Sequence, residues 1–152
     1  MPENRYNTII VGGGIAGLTS AAYLAREGKK ILLIEDNEDI RSNTAEILEL
    51  SNYKVITAEN GKIGVEKAIE YKPDLIILDI RMPKVNGIEA IAYFRQNYPR
   101  VPLIVLTGFP DTDMATSMLR QGVVDYLVKP VEGEKLKASV ARAMEQRELA
   151  HL

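Results

Sequence analysis

The sequence contains no cysteine and a single histidine, His151. The missing cysteine excludes disulfides, zinc–thiolate sites and thiol catalysis, and one histidine near the end cannot supply a histidine cluster for a metal. No apolar run approaches the ~20 residues of a membrane-spanning helix, and the first residues lack the pattern of a secretory signal. The net charge is only −2, with both signs intermixed. We therefore expect a cytoplasmic protein that has neither nucleic acid nor a membrane as a partner.

The length of 152 residues is that of one domain, and we expect residues 1–152 to form a single unit. Short apolar runs alternate with segments in which apolar residues recur at helical spacing. The predicted strands are Thr8–Val11, Ile31–Ile34, Lys54–Ala58, Leu75–Leu78, Val101–Leu106 and Val124–Val128. The pairs Met82-Pro83 and Asn86-Gly87 predict a loop after the fourth strand. This alternation predicts an α/β fold, a three-layer doubly wound parallel sheet of six strands with six helices.

Polar residues stand where four of these strands end. Glu35 and Asp36 follow the second strand, Asp79 the fourth, Thr107 the fifth and Lys129 the sixth. Because ligands of parallel α/β sheets bind at the carboxyl ends of the strands, these side chains are candidates for one site. Converging carboxylates favour a hard divalent cation, most naturally Mg²⁺. A lysine ammonium and a threonine hydroxyl suit a phosphoryl group, and a carboxylate near Mg²⁺ can be the nucleophile that becomes an aspartyl-phosphate.

The same residues lie in longer motifs. The motifs are Glu35-Asp36, Leu78-Asp79-Ile80-Arg81-Met82-Pro83, Asn86-Gly87, Thr107-Gly108 and Asp125-Tyr126-Leu127-Val128-Lys129-Pro130. Through them, the sequence resembles the receiver domain of two-component response regulators over about residues 30–146. The resemblance implies a phospho-accepting signalling module of a phosphorelay rather than an enzyme, with a histidine kinase or a phosphotransfer protein as its partner.

The resemblance also implies a role for each matching residue. Asp79 would accept the phosphoryl group, and Thr107 and Lys129 would contact that group. The implied magnesium ligands are Asp36, Asp79 and the main-chain carbonyl of Arg81, with Glu35 acting through water. Tyr126 matches the aromatic residue that changes rotamer on activation, and the output surface would lie around it.

That output surface would lie around Leu119, Val123 and Tyr126. The side chain of Arg81 has no fixed role in the motif.

A second motif precedes the receiver-like part. Gly12, Gly14 and Gly17 follow the first predicted strand and open a helix, and Glu35 ends the next strand at the spacing of a ribose-binding acid. Residues 7–35 therefore resemble the first βαβ unit of FAD-dependent oxidoreductases, of the amine-oxidase or carotenoid-desaturase kind. Such enzymes need several hundred further residues to enclose a flavin, so bound FAD or NAD is not expected here.

The two resemblances share Ile31 to Glu35, which indicates a chimera: an added Rossmann-type βα unit at 7–30 joined to a receiver-derived part at 30–152. The alternative function is therefore that of an engineered fold chimera with Rossmann topology and no native activity, at most a weak dinucleotide binder at the glycine turn.

The added strand, A, has two feasible places in a receiver sheet of order 2-1-3-4-5. The order A-2-1-3-4-5 keeps strands 1 and 3 paired and the phosphorylation site intact. The order 2-1-A-3-4-5 is that of a Rossmann sheet and moves Asp36 from Asp79 by a further ~4.8 Å, which impairs a shared Mg²⁺ site. We expect the second order, because Thr8–Val11 is apolar throughout, as in a central strand, and its crossover to the next strand is short.

Overall fold

The computed structural model of the protein describes residues 28–80, 85–108 and 111–150, which form a layered α/β domain. Its strands are β1 (Lys30–Ile34), β2 (Lys54–Ala58), β3 (Leu75–Ile80), β4 (Leu103–Thr107) and β5 (Asp125–Val128). Its helices are α1 (Glu38–Glu49), α2 (Gly61–Tyr71), α3 (Val85–Asn97), α4 (Thr112–Arg120) and α5 (Gly133–Ala150). No helix in these ranges is both long and apolar enough to cross a bilayer.

The five strands are parallel and lie in the order β2-β1-β3-β4-β5, a flavodoxin-like sheet. Strand β1 pairs directly with β3, with Ile31 opposite Leu75 and Ile34 opposite Leu78. The expected insertion of a strand between these two is therefore wrong, because the backbone groups of β1 on that side already bond to β3. The predicted strand Thr8–Val11, its helix and the glycine turn lie outside the described residues, as does the placement of strand A at an edge.

Two apolar layers cover the sheet, as expected for parallel strands that are buried on both faces. On one face α1 and α5 pack through Ala45, Leu48, Leu136 and Val140 against alternate strand residues such as Ile31. On the other face the helices are α2, α3 and α4. Their contributions to that layer include Ala68, Ile91, Phe94 and Met118. The core thus leaves only the strand ends free for polar chemistry.

Side-chain caps set the starts of three helices. The Oδ1 atoms of Asn37, Asn60 and Asp111 accept the backbone N–H three residues on, at 3.0, 2.8 and 3.1 Å respectively. These caps satisfy amide groups that the first helical turn leaves without partners. The capping atoms lie at the carboxyl-terminal side of the strands, so α1 begins immediately beside the end of β1.

The predicted loop at Asn86-Gly87 is wrong, because α3 begins at Val85 and includes both residues. Glycine and asparagine are poor helix formers only in the helix interior, and both are tolerated near a helix start. Met82 and Pro83 lie outside the described residues.

The apolar face of α3 continues into an aromatic cluster. The rings of Tyr93 and Phe94 meet edge to face at 5.5 Å between centroids, and Tyr98 lies 6.1 Å from Phe94. Partial burial, and then the neighbouring phenol of Tyr93, raise the pKa of Tyr98 above its ordinary value.

Candidate functional site at the strand ends

The sheet brings four of the polar strand ends into one row. Glu35 follows β1, Asp79 lies within β3, Thr107 ends β4 and Lys129 follows β5, and these four strands are neighbours in that order. The direct pairing of β1 with β3 places Glu35 and Asp79 one residue beyond the paired Ile34 and Leu78. The sheet order therefore makes a single site out of residues that lie up to ninety-four positions apart in the chain.

Lys129 joins the two carboxylates across the row. Its Nζ lies 2.6 Å from Oδ2 of Asp79 and 3.6 Å from Oε1 of Glu35. The side chains of Asp79 and Glu35 are only 1% and 2% exposed, whereas that of Lys129 is 22% exposed. The backbone N–H of Lys129 donates to the carbonyl of Thr107 at 2.7 Å, which ties the residue to the end of β4. The result is a cation that neutralises buried negative charge while remaining partly open to solvent.

Glu35 is fixed on three sides. Its Oε2 accepts the backbone N–H of Asn37 at 2.9 Å, its backbone N–H donates to Ala58, and its carbonyl accepts from Arg41. The other carboxylate oxygen, Oε1, is buried and has no hydrogen-bond donor among the described residues. A buried carboxylate oxygen that lacks a donor is what a site for a cation or its bound water provides.

The predicted magnesium ligands differ in their exposure to solvent. Asp36 is exposed, at the solvent side of the strand ends, whereas Glu35 and Asp79 are buried beside Lys129. Arg81 lies outside the described residues. Within 28–80, 85–108 and 111–150, no three carboxylate or histidine side chains are grouped as a complete metal site. In the part of the chain that the structure describes, the site includes two buried acids, one lysine and the buried Thr107.

Residues 31–141 match the family model of the response regulator receiver domain. The chain belongs to the response regulator receiver family. It is 40% identical over 115 residues to the probable C4-dicarboxylate response regulator DctR of Halalkalibacterium halodurans, covering 74% of this chain and 50% of that protein. It is 37% identical over 122 residues to the alkaline phosphatase synthesis transcriptional regulatory protein PhoP of Bacillus subtilis, covering 80% of this chain and 51% of the relative.

A solved receiver domain protein from Clostridium thermocellum has the same fold, with a TM-score of 0.74 at 31% identity, over 80% of this chain and 98% of that one. The chain spans about half the length of the two curated relatives. The relative PhoP is named a transcriptional regulatory protein. For this chain, the absence of a nucleic-acid partner stays a prediction.

Residues 7–46 separately match the family model of FAD dependent oxidoreductases. The two matches overlap at residues 31–46. Gly12, Gly14 and Gly17 lie outside the described residues. Glu35, the acid shared by both patterns, is buried in the receiver and directed at Lys129.

The remaining predicted receiver residues lie as follows. Thr107 is fully buried at the end of β4, opposite Ile80. Tyr126 lies opposite Val105, and its buried hydroxyl has no hydrogen-bond partner among the described residues. Leu119 is half exposed and Val123 is buried, so the side chain of Val123 adds no area of its own to the output surface, which stays a prediction. The backbone N–H of Val123 donates to the carbonyl of Met118, which turns the side chain into the core.

Two residues beside Glu35 escaped the sequence analysis. Asn37 carries a detectable signal, because an asparagine directly before an acidic first turn predicts a helix cap. Arg41 carries none, since a single arginine on a charged helix is ordinarily a solvated residue. Only the structure shows that its guanidinium reaches back to the strand end.

Proposed function

We propose that this receiver accepts a phosphoryl group on Asp79. The observation that carries the proposal is the contact of Lys129 with Asp79 at 2.6 Å, at the mouth of a row of parallel strands and beside the buried Glu35. Burying two acids beside one partly exposed lysine costs desolvation free energy. Groups buried at such a cost are typical of functional sites. Receiver domains are typically signalling modules rather than enzymes, and phosphoryl acceptance is the corresponding activity.

In the proposed step, a carboxylate oxygen of Asp79 attacks the phosphorus of a small-molecule or protein donor. A new oxygen–phosphorus bond forms, the bond from phosphorus to the donor's leaving group breaks, and the leaving group takes the electron pair. Lys129 stabilises the negative charge on the transferring group, because its ammonium already lies beside the acceptor oxygen. Thr107 ends β4, the strand next to Asp79, and we propose that its hydroxyl donates a hydrogen bond to the phosphoryl group.

Mg²⁺ fits this site by the chemistry of its donors. The buried Oε1 of Glu35 and the carboxylate of Asp79 are hard oxygen ligands, and Asp36 follows Glu35 at the solvent side. We propose that Asp36, Asp79 and the main-chain carbonyl of Arg81 hold the ion, with Glu35 acting through water. When bound, the ion offsets the charge of the phosphoryl oxygens.

The phosphodonor protein we propose is a histidine kinase or a phosphotransfer protein. A cleft of about 570 Å³ lies beside Lys129, and its lining is largely apolar. The lining includes Ile40 and Ile47 of α1 together with Val131 and Leu136. We propose that the donor protein docks in this cleft. Because Ile40 is 38% exposed there, Ile40→Glu is expected to abolish transfer from a phosphotransfer protein, while acetyl phosphate still labels Asp79.

Intact-mass spectrometry after treatment with acetyl phosphate and Mg²⁺ tests the proposal. The wild type is expected to gain one phosphoryl group, and Asp79→Asn is expected to gain none. Asp111→Asn is a matched control, because it removes the same charge from an exposed helix cap but retains the capping oxygen. Labelling of Asp79→Asn, or no labelling of a folded wild type, would sink the assignment of the acceptor.

The match of residues 7–46 to FAD dependent oxidoreductases raises a second candidate function, the binding of a dinucleotide. We propose that this part records a chimeric origin and binds a dinucleotide at most weakly, because Glu35 is committed to Lys129 and Asn37. FAD, NAD and ADP are therefore expected to leave the melting temperature unchanged at millimolar concentration. A saturable rise in melting temperature with any of them, lost in Gly14→Val, would establish nucleotide binding instead.

A further inference from the structure

Arg41 reaches the backbone of the acidic strand end. Its Nη1 donates to the carbonyl oxygen of Glu35 at 2.9 Å, from a partly buried position on α1. We propose that Arg41 is a positioning residue that orients the acids of this site for Mg²⁺. The inference rests on the proposed function of Asp79, which it extends to a residue outside the receiver motifs.

The physical reason lies in the planarity of the peptide group. The carbonyl of Glu35 and the N–H of Asp36 belong to one rigid plane. A hydrogen bond that holds this carbonyl therefore fixes the direction in which the chain enters Asp36. The backbone N–H of Glu35 is already held by the carbonyl of Ala58 at 3.0 Å. Arg41 restrains the other polar group of the Glu35 backbone, its carbonyl.

The first turn of α1 makes this restraint stiff. The backbone N–H of Arg41 donates to the carbonyl of Asn37 at 2.9 Å, and the backbone N–H of Asn37 donates to Oε2 of Glu35 at the same distance. Arg41 and Asn37 thus close a loop of hydrogen bonds between the start of α1 and both the backbone and the carboxylate of Glu35. A disturbance at Arg41 therefore passes to Glu35 and, through the shared peptide plane, to Asp36.

Charge and geometry make opposite predictions for Arg41, which permits a decisive test. As a charge alone, its guanidinium repels a divalent cation, so its removal strengthens Mg²⁺ binding. As a positioning residue, it holds the ligands in place, and loss of such an outer partner typically weakens metal affinity by about 10–100-fold. The sign of the change in affinity therefore separates the two roles.

The experiment measures Mg²⁺ dissociation constants by NMR titration of the backbone amides of Asp36 and Asp79, without a phosphodonor. Arg41→Gln is expected to raise the dissociation constant about tenfold. Arg41→Lys keeps the charge and one donor but not the planar fork, so we expect an intermediate value. Arg100→Gln removes the same charge from an exposed position at the opposite end of the sheet and is expected to match the wild type.

The second readout is phosphorylation by acetyl phosphate as a function of Mg²⁺. We expect Arg41→Gln to need about tenfold more Mg²⁺ for half-maximal labelling and to label Asp79 at nearly the wild-type rate once Mg²⁺ is saturating. Unchanged or tighter Mg²⁺ binding in a folded Arg41→Gln overturns the positioning role. If Arg41→Gln does not fold, Arg41→Lys decides, and an affinity equal to that of the wild type overturns the proposal. A wild type that binds no Mg²⁺ would instead overturn the proposed function itself.

Discussion

Lys129 and Asp79 form an ion pair that spans a strand. The ammonium of Lys129, which follows β5, lies 2.6 Å from Oδ2 of Asp79 in β3, and β4 lies between these two strands. The backbone of Lys129 meanwhile donates to Thr107 at the end of β4. Three strand ends are therefore held together by one residue, and the carboxylate of Asp79 is neutralised at the same point.

Lys129→Ala is expected to lower the free energy of unfolding by about 1–3 kcal/mol. This is less than the loss on breaking a fully buried ion pair, because Lys129 is partly exposed. Labelling by acetyl phosphate should fall at least about tenfold, the effect of losing one charge-stabilising group. Lys137→Ala is the control, because its contact with Glu134 at 3.3 Å is exposed and contributes within about 0.5 kcal/mol. Urea unfolding and intact mass provide both readouts. Equal stability losses in the two variants would contradict a special role for Lys129.

Gly64 allows α2 to approach β1 closely. A Cβ at this position would lie 2.9 Å from Cγ1 of the buried Ile34 and closer still to its Cδ1. Gly64→Ala is therefore expected to destabilise the fold by about 1–2 kcal/mol, since overpacking of ~1–3 kcal/mol exceeds the ~1 kcal/mol gained in helix propensity.

Gly61→Ala, in the same helix with no described residue within 4 Å of the added Cβ, is the control and should be neutral or stabilising. Chemical denaturation of Gly64→Ala with and without Ile34→Val provides the second check. Because valine lacks Cδ1, the double variant is expected to recover part of the loss. An additive double variant would argue against contact with Ile34 as the cause.

The helix caps Asn60 and Asn37 allow the effect of a lost cap on stability to be distinguished from its effect on the site. Asn60→Ala and Asn37→Ala each remove one side-chain cap and are each expected to cost about 1 kcal/mol. Both variants keep the backbone N–H, but only in Asn37→Ala does the loosened helix start carry the N–H that donates to Glu35, so only this variant should weaken labelling of Asp79 and Mg²⁺ binding. Thermal unfolding and intact mass measured on both variants test this. A labelling defect in Asn60→Ala of the same size would show that helix fraying alone accounts for it.

Gly122 accommodates the guanidinium of Arg95. It has a φ of +99°, and an added Cβ would lie 2.9 Å from both Nε and Nη2 of Arg95. Arg95 donates from Nε to Gln121 and from Nη1 to Val101, each at 3.3 Å. Gly122→Ala is therefore expected to lose about 2–3 kcal/mol, the sum of backbone strain and displaced hydrogen bonds.

Gly28→Ala isolates the strain, because Gly28 also has a positive φ, +83°, but no described residue lies within 4 Å of the added Cβ. It should lose only about 1 kcal/mol. Measured by urea unfolding, a loss in Gly122→Ala no larger than in Gly28→Ala would mean that Arg95 yields without cost.

Local patterns in the sequence determined most of the elements and the composition of the site. The apolar run at 75–78 and the polar residues after it predicted β3 and Asp79 because a strand buried on both faces must be apolar throughout. Strand β2 was predicted with the bounds that the structure shows. Gly61 and Asn60 mark the start of α2, and a cap of this kind depends only on neighbouring residues.

The tertiary structure decided which strands are neighbours and which acids face inward. A strand inserted between β1 and β3 satisfies the same hydrophobic pattern as the observed direct pairing, so pattern alone does not distinguish the two orders. Likewise, Glu35 and Asp36 are adjacent acids, and only the turn into α1, with the bonds from Asn37 and Arg41, buries the first and exposes the second. Strand order and side-chain direction depend on contacts between residues far apart in the chain, whereas strand and helix formation depend on residues close together.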